Sequence, residues 1–298
     1  MARYLLDRGH QVAIFDLNQP GSELADCEYY QGNITESTWL ESVQRMWQSD
    51  TVFHLASVVG VATVRKQRLD TINTIFLGTQ NVLQLARDFK LSLINFSSSE
   101  VYGNIAPPMS ESSNLLLGSP EQPRYAYATA KALAEHLALA YHQNFKVKVA
   151  TVRPFNVVGF GQTTPGMVIP TFVRQALQNQ PLTVRGGDQI RCFLAVEDAV
   201  EAITRLADNS AAWGQIFNLG NPNNQISMLD LALKIKIATD SSSQIDTVKS
   251  DTDDIKVRVP DISKIAELLN WQPQIDLDEI IQSAIEGKGL ANLPTLQA

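Results

Sequence analysis

Short apolar runs alternate with long amphipathic stretches along the first half of the chain. The runs lie at Gln11–Phe15, Thr51–Leu55, Leu91–Phe96 and Lys148–Val152, and the helical patterns at about 36–47, 69–89 and 125–145. Apolar runs of this length are typical of buried strands. Strands that alternate with helices predict parallel βαβ units, so we expect an α/β fold with a doubly wound parallel sheet.

The chain begins inside a helical pattern, over residues 2–8, which Gly9 ends as a C-terminal cap. In a dinucleotide-binding fold, an acidic residue at the end of the second strand follows the first glycine of the phosphate loop by about 20 residues. If Asp16 is that acid, this glycine precedes Met1. We therefore predict a Rossmann-like sheet that lacks its first strand and its glycine-rich loop because of truncation at the N-terminus.

The strand–helix alternation loosens after Asn156 into loops rich in Gly, Pro and Thr. This change predicts a larger domain over residues 1–156 and a smaller substrate domain over residues 157–298. Within the second part, a run at about 196–219 is predicted to return to the sheet layer.

Composition and charge exclude several classes of protein. A net charge of −7 offers no basic surface for nucleic acid or for an anionic membrane. Two cysteines form no disulfide framework, and four histidines show no metal-ligand spacing, so we expect no metal site. The start of the chain is charged and no apolar run reaches about 18 residues. A cytoplasmic protein is the resulting expectation.

A serine cluster after one predicted strand and a Tyr-x-x-x-Lys motif on a helix point to oxidoreductase chemistry. Tyr127 and Lys131 lie four residues apart, so their side chains share one helix face, and a nearby ammonium lowers the pKa of a phenol. Ser98 lies at the carboxyl end of its strand, where ligands bind in open α/β sheets. The alternative is that Tyr127 is a core aromatic and the serines form a turn.

Other polar residues are further candidates for a nucleotide site. Asp16 ends a strand and could accept hydrogen bonds from an adenosine ribose, which favours NAD over NADP, although a plain strand-end aspartate is the alternative. Arg191 and Arg258 could hold a diphosphate or form surface ion pairs. Glu100 could exchange protons with substrate or pair with a nearby cation.

A set of motifs appears in a familiar order. They are Ser-Ser-Ser-Glu-Val-Tyr-Gly at 97–103, Tyr-x-x-x-Lys at 127–131, Arg-Pro-Phe-Asn-Val-Val-Gly at 153–159, Arg-Cys-Phe at 191–193, Val-Glu-Asp at 196–198, Phe-Asn-Leu-Gly-Asn-Pro at 217–222, Arg-Val-Pro-Asp-Ile-Ser-Lys at 258–264 and Trp-Gln-Pro at 271–273. From about residue 2 to 287, the chain resembles the extended short-chain dehydrogenase/reductases, in their NAD-dependent nucleotide-sugar epimerase/dehydratase group.

The resemblance implies a role for each of the matching residues. It implies an NAD-binding first domain and a nucleotide-sugar-binding second domain, and a homodimer formed through the helix with Tyr127 and its neighbour. The catalytic trio would be Ser98, Tyr127 and Lys131, and Glu100 is a further catalytic candidate. The cofactor would contact Asp16, Asn33, Ile34, Leu55, Ala56 and Lys131. A nucleotide sugar, expected to be UDP-linked, would contact Asn156, Arg191 and Arg258.

Three departures from the family pattern matter. The first strand and the Gly-x-x-Gly-x-x-Gly loop are absent, Asn33 replaces an aspartate, and Ile75 replaces an asparagine that often supports a proton path. Asn33 can still accept a hydrogen bond from adenine.

Two functions from different classes follow. The first is an enzyme that oxidises C4 of a nucleotide-linked hexose, as a UDP-sugar 4-epimerase or a UDP-glucuronate decarboxylase; Ser98-Ser99-Glu100 fits a 4,6-dehydratase less well. The second is a non-catalytic nucleotide-sugar-binding protein or a remnant, because the phosphate loop is missing.

Overall fold

The computed structural model describes residues 1–159, 161–162, 167–249 and 254–287. The chain divides into two compact units. The first unit comprises residues 1–101, 118–152 and 203–216, and the second comprises the described parts of 102–117, 153–202 and 217–298. Both units therefore draw on sequence from either side of Asn156.

Helices and strands alternate as the sequence pattern predicts. The helices are α1 Ala2–Leu6, α2 Ser37–Trp47, α3 Val61–Lys66, α4 Arg68–Phe89, α5 Tyr125–Phe145, α6 Val168–Leu177, α7 Val196–Ala207, α8 Met228–Ala238, α9 Ser263–Leu269 and α10 Leu277–Glu286. The strands are β1 Ala13–Asp16, β2 Glu28–Gln31, β3 Thr51–His54, β4 Ser92–Phe96, β5 Lys148–Pro154, β6 Val157–Val158, β7 Leu182–Arg185, β8 Ile190–Cys192, β9 Leu194–Ala195, β10 Ile216–Leu219, β11 Gln225–Ser227, β12 Ile245–Val248 and β13 Val257–Arg258.

Parallel strand pairs form the framework of the first unit. Strand β3 pairs with β4 and β4 with β5, both in parallel. Strand β1 pairs in parallel with β2 as a separate two-stranded sheet. The fold class predicted from the sequence, α/β with a doubly wound parallel sheet, is confirmed.

Apolar side chains from the helices and the sheet form the core of the first unit. Leu83 on α4 and Leu93 on β4 have no exposed surface, and Phe15 of β1 packs against the same cluster. Gly78 lets α4 approach the segment after β2 closely, because a Cβ at this position would lie 2.8 Å from Cγ2 of Ile34. Close packing at this point leaves no room for a side chain.

A groove separates the two parallel sheets of the first unit. In the described part of the chain, β1 pairs only with β2 and β3 only with β4, so each has one edge without a ladder. A cavity of about 480 Å³ is lined by residues of both strands, including Phe15 and Val52. The backbone groups along these two edges must find partners other than a neighbouring strand of this sheet.

The second unit is built from small sheets and the helices that pack on them. Strand β8 lies between β11, antiparallel to it, and β13, parallel to it. Strand β7 pairs with β12, and the core includes Phe172 of α6, Leu182 of β7 and Ile235 of α8. Asp198 of the Val-Glu-Asp motif has only 1% of its surface exposed and accepts backbone hydrogen bonds from Gln274 and Ile275. This motif therefore has a structural role.

Candidate active site

Helix α5 presents three polar side chains on one face. Tyr127, Lys131 and Glu135 are spaced four residues apart, so they follow one another along the helix. Lys131 and Glu135 are each 4% exposed, whereas Tyr127 is half-buried. The Lys131 Nζ atom lies 5.9 Å from the centroid of the Tyr127 ring. The helix spacing predicted from the sequence therefore does bring the tyrosine and the lysine together.

The Lys131 ammonium is fixed to the end of β4. Its Nζ donates a hydrogen bond of 2.5 Å to the carbonyl oxygen of Phe96. Burial lowers the pKa of Lys131 to about 8, and the Glu135 carboxylate opposes this shift. The lysine is thus still mostly charged at neutral pH, although its charge has been removed from water.

Two further buried polar groups surround this lysine. The Ser97 hydroxyl donates a 2.5 Å hydrogen bond to Oε1 of Glu135, and the Ser97 amide donates to the Val152 carbonyl. Nε2 of His54 lies 3.1 Å from Oγ1 of Thr79. Burial, with a smaller effect of the Lys131 charge, lowers the pKa of His54 to about 3, so this imidazole is neutral.

The predicted serine and glutamate lie just beyond β4. The Ser98 hydroxyl accepts a 3.2 Å hydrogen bond from the Glu100 amide. Oε2 of Glu100 is 3.7 Å from a terminal nitrogen of Arg124, whose side chain is only 9% exposed. Of the two roles left open for Glu100, the structure shows the pairing with a nearby cation. That contact does not exclude proton exchange with a substrate.

The residue that departs from the family pattern near Tyr127 is deeply buried. Ile75 on α4 has no exposed surface and packs with Ala130 and Ala134, and Tyr127 packs against this cluster. Apolar side chains therefore cover the side of Tyr127 that faces α4. Charges on α5 act on the tyrosine more strongly there, because water screens them less.

The predicted adenosine-binding residue lies at the carboxyl end of β1. Asp16 is exposed, and its Oδ1 accepts a hydrogen bond of 2.9 Å from the Asn18 amide. The Asp16 backbone carbonyl accepts one from the Tyr29 hydroxyl. A carboxylate at a strand end with its second oxygen toward solvent fits the hydroxyls of a ribose.

The other predicted cofactor residues follow β2 and β3. Oδ1 of Asn33 accepts a hydrogen bond from the Thr35 amide, so it shapes a turn. Ile34 lies against Gly78, Leu55 is 51% exposed, and Ala56 is partly exposed. The groove between β1 and β3 is lined by Asp16, Ile34, Leu55 and Ala56 but not by Asn33.

The sequence lacks the glycine loop that would bind the pyrophosphate, in the middle of a dinucleotide. No two of the 16 glycines in the sequence lie three residues apart, so the chain contains no Gly-x-x-Gly-x-x-Gly loop. The residues present fit the two ends of NAD. Asp16 suits the ribose at one end, and Lys131, which lies beside Tyr127, suits the other end. They do not supply the glycine loop that usually holds the pyrophosphate.

Strand β8 gathers the predicted substrate residues in the second unit. Arg191 on β8 is the register partner of Arg258 on β13, so the two side chains share one face of the sheet. Arg258 is 4% exposed, and Arg191 donates a 3.2 Å hydrogen bond to Asp254. Nδ2 of Asn156 donates a 2.8 Å bond to the carbonyl of Cys192, next to Arg191. Two arginines in register in an acidic protein are therefore candidates for binding a diphosphate.

The described residues offer neither a metal site nor a membrane-spanning helix. Among them, no cluster of three or more His, Cys, Asp or Glu side chains could hold a metal ion. None of the helices within the described ranges is long and apolar enough to cross a membrane.

Comparison with known proteins settles the family. The model of the NAD dependent epimerase/dehydratase family matches residues 1–220. The chain belongs to this family. The family is NAD-dependent, as the motifs predicted.

Three similar proteins refine the comparison. The UDP-N-acetyl-alpha-D-glucosaminuronate decarboxylase of Bacillus cytotoxicus is 36% identical over 304 positions, which cover 96% of this chain and 92% of that protein. UDP-glucuronic acid decarboxylase 1 of Arabidopsis thaliana is 36% identical over 81% of this chain and 58% of its own length. MoeE5, solved in complex with UDP-glucuronic acid and NAD, superposes with a TM-score of 0.83 at 25% identity and covers 96% of this chain and 93% of its own.

Sequence reasoning missed the residues behind the tyrosine–lysine pair. Glu135 carries one usable signal, since it follows Lys131 by four residues and so shares its helix face. Ser97 was visible only as part of the serine cluster. Arg124, which pairs with Glu100, lies at the start of α5 and had no signal beyond its charge.

Proposed function

We propose that this protein is an NAD-dependent decarboxylase of a UDP-linked hexuronate that works through a 4-keto sugar. Tyr127 is the base that takes the proton of the C4 hydroxyl, and the Lys131 ammonium stabilises its phenolate form. Ser98 hydrogen-bonds the same oxygen. The 5.9 Å approach of the Lys131 ammonium to the Tyr127 ring is the observation that supports this assignment most directly.

The chemistry needs few groups from the protein. NAD, when bound, accepts a hydride from C4 and later returns it. The new C4 ketone lies β to the C6 carboxylate, so the C5–C6 bond breaks, carbon dioxide leaves, and its electron pair forms an enolate over C5 and C4. A proton from solvent water then adds to C5, and Tyr127 gives its proton back to the C4 oxygen as the hydride returns to C4, which yields a UDP-pentose.

Decarboxylation is favoured over 4-epimerisation for two reasons. Two decarboxylases are each 36% identical to this chain. In addition, the Ser98-Ser99-Glu100 sequence places a carboxylate beside the proposed catalytic serine, and many epimerases have no acid at that position. The Glu100 carboxylate is held by Arg124 and could take part in proton exchange with the sugar.

The sugar nucleotide would be bound through its diphosphate and by Asn156. Arg191 and Arg258 are register partners on neighbouring strands, and the planar fork of a guanidinium matches phosphate oxygens. Asn156 is the proposed sugar contact, although its amide nitrogen already donates a hydrogen bond to the Cys192 carbonyl.

We also propose a homodimer in the cytoplasm. Exposed apolar residues on α4 and α5 suit a helix–helix contact; Leu69 is 69%, Ile72 37% and Leu133 46% exposed. Both cysteines are free thiols, in keeping with a reducing compartment. Light scattering of the purified protein, compared with a Leu69→Glu, Leu133→Glu variant, tests the dimer; a wild-type monomer would contradict it.

Turnover assays with added NAD test the reaction. UDP-glucuronate and UDP-N-acetylglucosaminuronate are each supplied, with carbon dioxide release and NMR of the product as readouts. We expect one of them to yield a UDP-pentose. Conversion of UDP-glucose to UDP-galactose, with both uronates untouched, would instead identify a 4-epimerase.

Calorimetric titration of NAD separates the enzyme from a non-catalytic sugar-nucleotide binder. Binding of NAD and turnover together support the proposal. Binding of UDP without any binding of NAD would support the non-catalytic alternative, which the missing glycine loop motivates.

A further inference from the structure

Behind the tyrosine–lysine pair, a buried carboxylate is held in place by a hydroxyl. Glu135 and Ser97 are 4% and 5% exposed, and the Ser97 hydroxyl donates to Glu135 at 2.5 Å. An ionised carboxylate is expensive to bury unless it is paired and hydrogen-bonded. The buried Glu135 carboxylate therefore needs a positive charge close to it.

Lys131 supplies that charge from the next turn of the same helix. The charged or titratable groups that face Lys131 are Tyr127 and Glu135 on α5 and His54 on β3. His54 is neutral because its pKa is lowered to about 3, and Tyr127 carries no charge once it has taken the substrate proton. Glu135 is thus the negative charge that offsets the burial of the ammonium.

We propose that Glu135 is a positioning residue, oriented by Ser97, that keeps Lys131 protonated and directed at Tyr127. The proposal rests on the function assigned above to Tyr127 and Lys131. Loss of the carboxylate would leave the lysine buried beside a neutral partner, so the lysine would give up its proton more readily. A neutral lysine no longer stabilises a phenolate.

The dry surroundings strengthen this effect. Ile75, Ala130 and Ala134 close the side of α5 that faces α4 and offer no polar substitute for the lost charge. Lys131 would keep its hydrogen bond to the Phe96 carbonyl in either protonation state, so position and charge can be tested separately.

The first experiment measures the lysine directly. Protein with ¹³C at the lysine Cε is titrated by NMR, and a Lys131→Met variant assigns the resonance. We expect the Lys131 titration near pH 8 to move to lower pH in Glu135→Gln and to stay in place in His136→Gln, an exposed neighbour. An unchanged titration in Glu135→Gln would overturn the proposal.

The second experiment measures turnover of the uronate substrate against pH. Glu135→Gln should lower kcat about tenfold at pH 8, with KM for the UDP-sugar unchanged and with activity recovering toward pH 6. Glu135→Asp, which keeps the charge, should recover part of the rate. A uniform loss at every pH, not restored by Glu135→Asp, would show a purely structural role.

A fold defect and a wrong function are both distinguishable from failure of this proposal. If Glu135→Gln does not fold by circular dichroism, Ser97→Ala replaces it, with a smaller shift of the lysine titration in the same direction expected. If no nucleotide sugar is turned over by wild-type protein, the proposed function fails, yet the NMR titration still decides whether Glu135 sets the charge of Lys131.

Discussion

The Lys131 ammonium donates a 2.5 Å hydrogen bond to the backbone carbonyl of Phe96, the last residue of β4. This bond ties the helix with Tyr127 to the strand end that precedes Ser98. The side chain proposed to tune the base therefore also sets the distance between helix and strand. A substitution at Lys131 would change charge and geometry together.

Removal of the Tyr127 hydroxyl should abolish most of the activity without harming the fold. Tyr127→Phe keeps the ring that packs beside Ile75 but has no proton to exchange, so kcat should fall by about 10²–10⁴-fold. NAD binding, measured by calorimetry, should not change. Tyr141→Phe on the same helix is the matched control. Wild-type turnover by Tyr127→Phe would remove it from the catalytic role.

The ion pair of Glu100 and Arg124 allows the two roles of Glu100 to be separated. Glu100→Gln should lower kcat by about 10²-fold if the carboxylate exchanges protons. Because the Glu100 side chain is 27% exposed, its stability effect should stay within about 1 kcal/mol. Urea unfolding and kcat are measured for Glu100→Gln and Arg124→Gln. Equal losses of kcat in both variants would mean that Glu100 serves only to hold Arg124.

The paired arginines of β8 and β13 should govern affinity for the nucleotide. Arg258→Met should raise KM for the UDP-sugar at least tenfold and weaken UDP binding, since a charge-assisted hydrogen bond contributes about 1.5–3 kcal/mol. Turnover at saturation should be nearly unchanged. Arg185→Gln, at the exposed end of β7, is the control. An effect on kcat alone would place Arg258 outside the diphosphate site.

Acid should destabilise the protein through His54. Its folded pKa of about 3 lies below the ordinary value of 6.5, so the unfolded chain binds more protons between these values and stability falls as the pH falls through that window. From pH 7 to 5 this single group should cost about 2 kcal/mol. His54→Gln should lose less stability over that range in urea titrations, whereas His136→Gln should behave as wild type. Parallel pH curves for His54→Gln and wild type would refute the assignment.

The sequence predicted the elements that are strongly periodic. Helices α4 and α5 begin and end within one residue of the expected limits, and β3 and β4 differ by a single residue. Strand β2 was missed, because Glu28-Tyr-Tyr-Gln31 is not a continuous apolar run. Pattern reasoning recognises a buried strand by apolarity, and this strand is half exposed.

The sequence pattern could not predict which distant segments pair with one another. The register of Arg191 with Arg258 joins positions that are 67 residues apart, and nothing local in either segment indicates it. The contact of Asp198 with the segment after Trp271 is of the same kind. Tyr127 and Lys131 could be placed together because helix geometry fixes neighbours four residues apart. Backbone hydrogen bonds between distant strands have no such local rule.

The groove between β1 and β3 has a consequence for motion. Strand β4 has a hydrogen-bonded neighbour on either side, so its amides should exchange slowly with solvent, whereas the open edges of β1 and β3 should exchange early. The β1–β2 pair, with Asp16, is attached to the rest of the unit chiefly by packing of side chains such as Phe15. The strand proposed to hold the adenosine and the elements proposed to carry catalysis can therefore open as separate cooperative pieces. A dinucleotide that contacts both ends would couple them, and part of its binding free energy would appear as slower exchange in β1.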